Sequence, residues 1–274
     1  MSSYVITGAA RGLGFEFVNQ LSSESSNKVF ALVRNKATAT NLDNLNRPNV
    51  YVFEADITDN AALKVAAEEV SKVTGGSLDY LINNAAFIEY DRRRNTLDSY
   101  PSEELLSQDL IDSVNFCFKD IYKFKINVVA VAHTINFFLP LLKKGQAKKI
   151  ITLSSGLGDI DLTVSTEYKE SSPYSISKAA VNMVVAKYAA QYKADGFVFL
   201  ALSPGVVNTA IKPPTADDLA EFQELAASVK KIYPDWTGPL TPETSVKMQL
   251  DVIRKATVAD TGAFISHKGN KEWL

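Results

Sequence analysis

Short apolar runs alternate with longer helical stretches along the whole chain. The runs fall at residues 4–7, 28–33, 50–53, 78–82, 149–153, 198–202 and 263–265. Several are apolar nearly throughout, as strands buried on both faces of a parallel sheet are. Between them lie helical stretches such as 14–24, 60–72, 110–144, 174–194 and 242–255. Strand–helix–strand order with right-handed crossovers predicts an α/β fold, a doubly wound parallel sheet of about seven strands flanked by helices. Residues 87–108 and 156–173 read as irregular. So does 212–239, which carries Pro213, Pro214, Pro234 and Pro239 around a predicted short helix over 217–231. No repeat, low-complexity tract or linker divides the chain, so residues 1–274 are expected to form one domain, an ordinary size for single α/β domains of about 250 residues.

Composition removes several classes of function. The chain is 46% apolar and 22% charged, enough to build a sizeable core. A net charge of −2 gives no basic face for nucleic acid. The apolar runs fall short of the roughly 18 residues of a membrane-spanning helix. Cys117 is the only cysteine, so neither an internal disulfide nor a cysteine zinc site is possible, and a reducing compartment is expected. Residues 3–8 already read as a strand entering a glycine turn rather than as a signal peptide, which points to the cytoplasm.

The segment Thr7-Gly8-Ala9-Ala10-Arg11-Gly12-Leu13-Gly14 lies between the first strand and the first helix. Gly8, Gly12 and Gly14 permit a tight turn and close approach of a pyrophosphate, which the helix N-terminus then attracts. Dinucleotide sites for NAD place an acid about 20 residues further on, to hold the ribose 2′-hydroxyl. Here that position is Arg34, and Arg11 lies in the turn itself. Two guanidiniums suit a 2′-phosphate and predict NADP(H); the competing reading is a pair of solvated surface arginines.

With these features the sequence resembles the short-chain dehydrogenase/reductase family over nearly its whole length. The resemblance rests on the glycine turn, Asn83-Asn84-Ala85-Ala86, Asn127, Ser154-Ser155, Tyr174-Ser175-Ile176-Ser177-Lys178 and Pro204-Gly205-Val206-Val207-Asn208-Thr209, in that order. The ending, Asp260-Thr261-Gly262-Ala263-Phe264-Ile265 and then Trp273, is similar to the sniffer or C-factor branch, near which fungal ketoreductases of the norsolorinic acid type lie. A Rossmann-type fold follows from the resemblance. It also implies cofactor contacts from Gly8, Arg11, Gly12, Leu13, Gly14, Arg34, Asp56, Ile57, Asn83, Ala85, Lys125, Tyr174, Lys178, Pro204, Val207 and Thr209. Asp56 and Ile57 would meet the adenine, Asn83 and Ala85 the ribose, and Val207 and Thr209 the nicotinamide carboxamide.

Asn127, Ser155, Tyr174 and Lys178 are the expected catalytic residues. A carbonyl that receives a hydride becomes an alkoxide and needs a proton, for which Tyr174 is the donor. A phenol with a pKa near about 10 is a poor acid–base at neutral pH, and bringing it towards about 7 needs about 4 kcal/mol. Lys178, four residues on and on the same helical face, supplies a cation that favours the phenolate. Ser155 can hydrogen-bond the substrate oxygen. In the family the asparagine holds a water linking the lysine to solvent. The second serine of the motif is the catalytic one, hence Ser155 rather than Ser154.

Tyr174 follows Ser155 by 19 positions, a longer interval than the family usually shows. The extra loop 156–173 either shapes the substrate pocket or is merely solvated. Phe87, Leu157, Ile211 and Phe222 are apolar candidates for that pocket, and the resemblance implies that residues 212–239 form a lid over it. Arg92-Arg93-Arg94 reads as a solvated loop or as an entrance that attracts an anion. His133 and His267 are too few for a metal site, and none is expected. His133 and Cys117 read as packing residues.

The expected function is NADP(H)-dependent reduction of a ketone or aldehyde to an alcohol. A fungal polyketide or other secondary-metabolite ketone is the substrate implied by the subfamily resemblance. The alternatives are a non-catalytic NADP(H)-binding sensor or scaffold, and a sugar epimerase or dehydratase on the same fold. Family precedent implies a possible homodimer through the long middle helix and the Tyr174 helix.

Overall fold

The computed structural model describes residues 1–88, 94–111, 125–210, 213 and 215–274. Its seven strands are β1 (Ser3–Thr7), β2 (Lys28–Val33), β3 (Val50–Glu54), β4 (Tyr80–Asn83), β5 (Lys149–Leu153), β6 (Val198–Ser203) and β7 (Phe264–Ser266). They form one sheet in the order β3-β2-β1-β4-β5-β6-β7, with every pairing parallel. The helices are α1 (Gly12–Ser22), α2 (Thr40–Asn44), α3 (Asn60–Thr74), α4 (Glu103–Ile111), α5 (Ala130–Leu142), α6 (Ile160–Thr166), α7 (Ser172–Tyr192), α8 (Ala216–Lys230) and α9 (Pro242–Lys255).

Adjacent residues of each strand feed opposite faces of the sheet. Val5, Phe30, Leu81, Ile150 and Phe199 pack under α3, α5 and α7 with Val70, Phe138 and Val181. Their neighbours Ile6, Ala31, Ile82, Ile151 and Leu200 pack on the other side with Phe17 of α1 and Leu250 of α9. Burial of each such large side chain contributes about 1.5–3 kcal/mol. The chain winds outward from β1 in both directions, so the strand order reverses between β1 and β4. That reversal opens a crevice at the carboxyl ends of these strands, where such sheets bind their ligands.

Four of the expected elements change. The strand expected at 78–82 begins at Tyr80, because the Asp79 carboxylate accepts from Ser3 N at 2.9 Å and from Gln146 N at 2.9 Å and fixes a corner. The long helix expected over 110–144 is described only as a π-helical turn, Lys125–Val129, followed by α5. Residues 87–108 already contain the start of α4. The loop 156–173 contains α6, capped by Asp159, whose carboxylate accepts from Leu162 N at 2.8 Å.

Candidate active site

The glycine turn is locked to the end of β4. Gly8 and Gly12 have φ of +65° and +57°, in the left-handed region that favours glycine. Gly14 is needed for a different reason: a Cβ there would lie 2.3 Å from the Gly8 carbonyl oxygen and 2.5 Å from Asn84 Nδ2. Asn84 Nδ2 donates to the carbonyls of Thr7 and Gly8 at 2.9 and 3.1 Å. The amides of Asn84 and Ala85 donate to Thr7 Oγ1 at 3.0 and 3.1 Å. Asn84, within a motif but given no role from sequence, therefore holds the two halves of the crevice together.

Around this turn lie the other candidate cofactor residues. Arg11 stands at the N-cap of α1 with no side-chain cap bond, and Leu13 packs into the core beneath. Arg11 and Arg34 are both exposed. Glu54, opposite Val33 in the sheet register, brings an acid to this end; its carboxylate accepts from Lys36 N at 3.0 Å. The Asp56 carboxylate accepts from Thr58 N and Thr58 Oγ1, both at 2.8 Å, and Ile57 is buried. Asn83 Nδ2 donates to Thr152 Oγ1 at 3.3 Å, while its buried Oδ1 has no partner among the described residues. The Lys125 backbone lies in the π-helical turn; its side chain is outside the described residues, as is Ile211.

The expected catalytic residues converge from β5, the π-helical turn and α7. Ser154 Oγ donates to Asn182 Oδ1 at 2.6 Å and is buried, so it is a packing residue. Ser155 is half-buried, and its Oγ accepts from Leu157 N at 3.2 Å. The following turn lies directly on α7, since a Cβ on Gly158 would sit 2.9 Å from the Lys178 carbonyl carbon. Lys178 Nζ donates to the Leu153 carbonyl at 2.7 Å and lies 5.6 Å from the centre of the Tyr174 ring. Burial pushes the Lys178 ammonium down to about 8. Asn127 Oδ1 accepts from Phe87 N at 2.8 Å, and its Nδ2 donates to the Phe87 carbonyl and to Ser177 Oγ, both at 3.0 Å. Ser177 Oγ donates onward to the Tyr174 carbonyl at 2.7 Å. Ser177 was not singled out by sequence, although it lies inside the tyrosine motif.

The loop after β6 closes the crevice. The Pro204 carbonyl accepts from Ser245 Oγ at 2.7 Å. Val207 bridges Leu240, and Leu240 N donates to the Val206 carbonyl at 2.8 Å. Thr209 reaches the glycine turn, its side chain 3.5 Å from where a Cβ of Gly12 would be. Gly205 has φ +81°, and a Cβ on it would meet the His267 ring at 2.8 Å. Burial pushes His267 down to about 4, so it is a neutral packing partner of this loop. No local pattern marks it, because the contact spans most of the last third of the chain.

Of the pocket candidates, Phe87 and Leu157 are half-buried, and Phe222 is 37% exposed with its ring 5.9 Å from that of Trp236. The buried Trp273 lies beside Gly156, 3.2 Å from where a Cβ would be. The arginine loop is not simply solvated: Arg94 pairs with Glu224 at 2.8 Å, whereas Arg92 and Arg93 lie outside the described residues, as does Cys117. His133 is half-buried in α5. Among the described residues no group of three or more His, Cys, Asp or Glu could hold a metal ion, and no helix is long and apolar enough to cross a membrane.

Residues 3–220 match the family profile described as short chain dehydrogenase. The chain belongs to the short-chain dehydrogenase family. Two fungal family members are each 43% identical to it, over the full length of both chains: short chain dehydrogenase virK of Hypocrea virens and short-chain dehydrogenase/reductase AacuF of Aspergillus aculeatus. Among solved structures, the NADPH-bound carbonyl reductase from chicken fatty liver is 28% identical, with a TM-score of 0.76 over 98% of both chains. Carbonyl reductase Sniffer of D. melanogaster has the same fold, with a TM-score of 0.76 at 24% identity over 98% of both chains. This short-chain dehydrogenase thus shares its whole architecture with those reductases.

Proposed function

We propose that this protein is an NADP(H)-dependent oxidoreductase that reduces a ketone or aldehyde to an alcohol. The observation that carries the reading is the buried Lys178 ammonium beside the Tyr174 ring. A non-catalytic sensor needs neither a proton donor nor a desolvated cation.

The crevice suits a dinucleotide. A Cβ on Gly14 would fill space already taken by the Gly8 carbonyl, so the turn is as closely built as backbone allows, and the α1 N-terminus behind it attracts phosphate. Arg11 and Arg34, both exposed, would hold a 2′-phosphate. Asp56 and Ile57, Asn83 and Ala85, and the 204–209 loop would hold the adenine, ribose and nicotinamide ends. The buried Asn83 Oδ1 is an acceptor still to be satisfied. When bound, NADP(H) supplies the hydride to the carbonyl carbon.

The chain's own residues handle the oxygen and its proton. Ser155 Oγ hydrogen-bonds the carbonyl oxygen and fixes its direction. Tyr174 Oη gives its proton to that oxygen as the C=O π pair moves onto it. The phenolate left behind is favoured by the Lys178 charge, which is still largely present at pH 7 because the group titrates near 8. Asn127 has both side-chain N–H groups committed to Phe87 and Ser177, so it positions the π-helical turn and α7 relative to each other. The family resemblance gives Asn127 a water that returns protons to Lys178, and the same role is assigned to it here.

A homodimer through α7 and the middle helix belongs to the same reading. Ile176 and Met183, seven residues apart on α7, are exposed and support it. A cytoplasmic location is compatible with the lone cysteine.

The test is NADPH consumption over a panel of aryl ketones, quinones and aldehydes, with the alcohol product confirmed. Tyr174→Phe is expected to lose roughly 10²- to 10⁴-fold in kcat while still binding NADPH. Equal consumption by the wild type and Tyr174→Phe would show that the phenol is not the acid.

A further inference from the structure

The insert between Ser155 and Tyr174 meets the α8 helix at two places. Arg94 donates from an Nη to Glu224 Oε1 at 2.8 Å, and its Nε lies 3.9 Å from Glu170 Oε1. The Glu170 carboxyl, donating its proton to Glu224, is the main influence holding the Glu224 carboxyl below its usual range, with the Arg94 guanidinium acting in the same direction. Seven positions further on, Lys231 pairs with Glu167. Seven residues is two helical turns, so Glu224 and Lys231 share one face of the helix, and that face is tied to residues 167–170.

The turn that receives α8 is itself unusual. Glu167 and Ser171 have φ of +54° and +56°, which residues other than glycine adopt only at a cost. Glu170 between them is 8% exposed. Ser171 is the N-cap of α7, so this turn leads straight to Tyr174. Arg94 follows β4, Glu170 follows β5 and Glu224 follows β6, so the cluster joins three segments that leave the crevice ends of neighbouring strands.

The hold on α8 is weak enough to open. Leu219 is 50% exposed and Phe222 37%, and among the described side chains of the helix Val229 alone is buried, so the helix buries little apolar surface. The Arg94 and Glu224 side chains are 43% and 51% exposed, which keeps their attraction modest. Helices held this way lie at the low end of local stability.

We propose that Arg94, Glu170 and Glu224 form a clamp by which the insert fixes α8 as a lid over the crevice, and that this clamp governs access and release of the carbonyl substrate but not of NADP(H). The identity of the ligand rests on the reductase reading; the clamp itself does not. The three are positioning residues, since none touches the reacting atoms.

Hydrogen exchange of the 216–230 segment, measured beside steady-state kinetics, tests the proposal. Glu224→Gln and Arg94→Gln should each exchange roughly three- to tenfold faster in that segment, with the sheet unchanged. KM for the carbonyl should rise by a similar factor and KM for NADPH should stay the same. Arg94→Lys, which keeps the charge, should recover part of both effects. Unchanged exchange in 216–230, or faster exchange throughout the sheet, overturns the clamp. Faster exchange with an unaltered carbonyl KM overturns its control of access. A wild type that turns over no carbonyl sinks the reductase reading and the control of carbonyl access, while the exchange result still decides the clamp.

Discussion

The Lys178 ammonium is 3% exposed and is met by a backbone carbonyl rather than by a carboxylate. Desolvation lowers its pKa from 10.5 to about 8. Below pH 8 both the folded and unfolded chains carry the proton, and the folded chain bears the full cost of the buried charge. Between about 8 and 10.5 the unfolded chain holds more protons, so stability rises with pH there, by roughly 3 kcal/mol from this group. Urea unfolding across this range should show the wild type gaining stability relative to Lys178→Met as pH rises, and the variant should also be inactive. Parallel curves for the two proteins would contradict the buried charge. Such a charge is tolerated where function uses it. The sequence showed the Tyr174–Lys178 spacing, but not that Lys178 is buried or that the Leu153 carbonyl holds it. Contacts between residues far apart in sequence leave no local pattern, and Asn84, Arg94 and His267 were missed or misread for the same reason.

At the scale of the element, the glycine turn works because β1, α1 and the end of β4 approach at backbone distance. Gly14→Ala places a methyl 2.3 Å from a carbonyl oxygen that cannot retreat without dragging the Thr7–Asn84 hydrogen bonds with it. Overpacking of this kind costs about 1–3 kcal/mol. The expected result is a lower urea midpoint together with loss of NADPH binding; a variant with wild-type stability and binding would contradict the packing argument. The turn was legible because strand, glycines and helix are contiguous. Buried parallel strands such as β2 and β5 were read with their boundaries intact, because both faces are apolar. Helix α6 was not, because Ile160 and Val164 point to solvent at 76% and 72% exposure. Its apolar residues 160, 162 and 164 alternate rather than follow a helical period, and of the three only Leu162 is buried.

Across the whole molecule, a parallel sheet with one reversal of strand order puts the glycine turn, Ser155, the 204–209 loop and the α7 helix at a single crevice. The strand–helix alternation was enough to predict this architecture. What it left open was how the insert and the 212–239 segment meet, because that depends on side-chain charges in stretches without regular pattern. The most direct measurement is the structure of the protein with NADP⁺ and an unreactive alcohol bound. The account predicts the 2′-phosphate between Arg11 and Arg34, and the alcohol oxygen shared by Tyr174 and Ser155. A phosphate held elsewhere, or an oxygen out of reach of the Tyr174 hydroxyl, would contradict it.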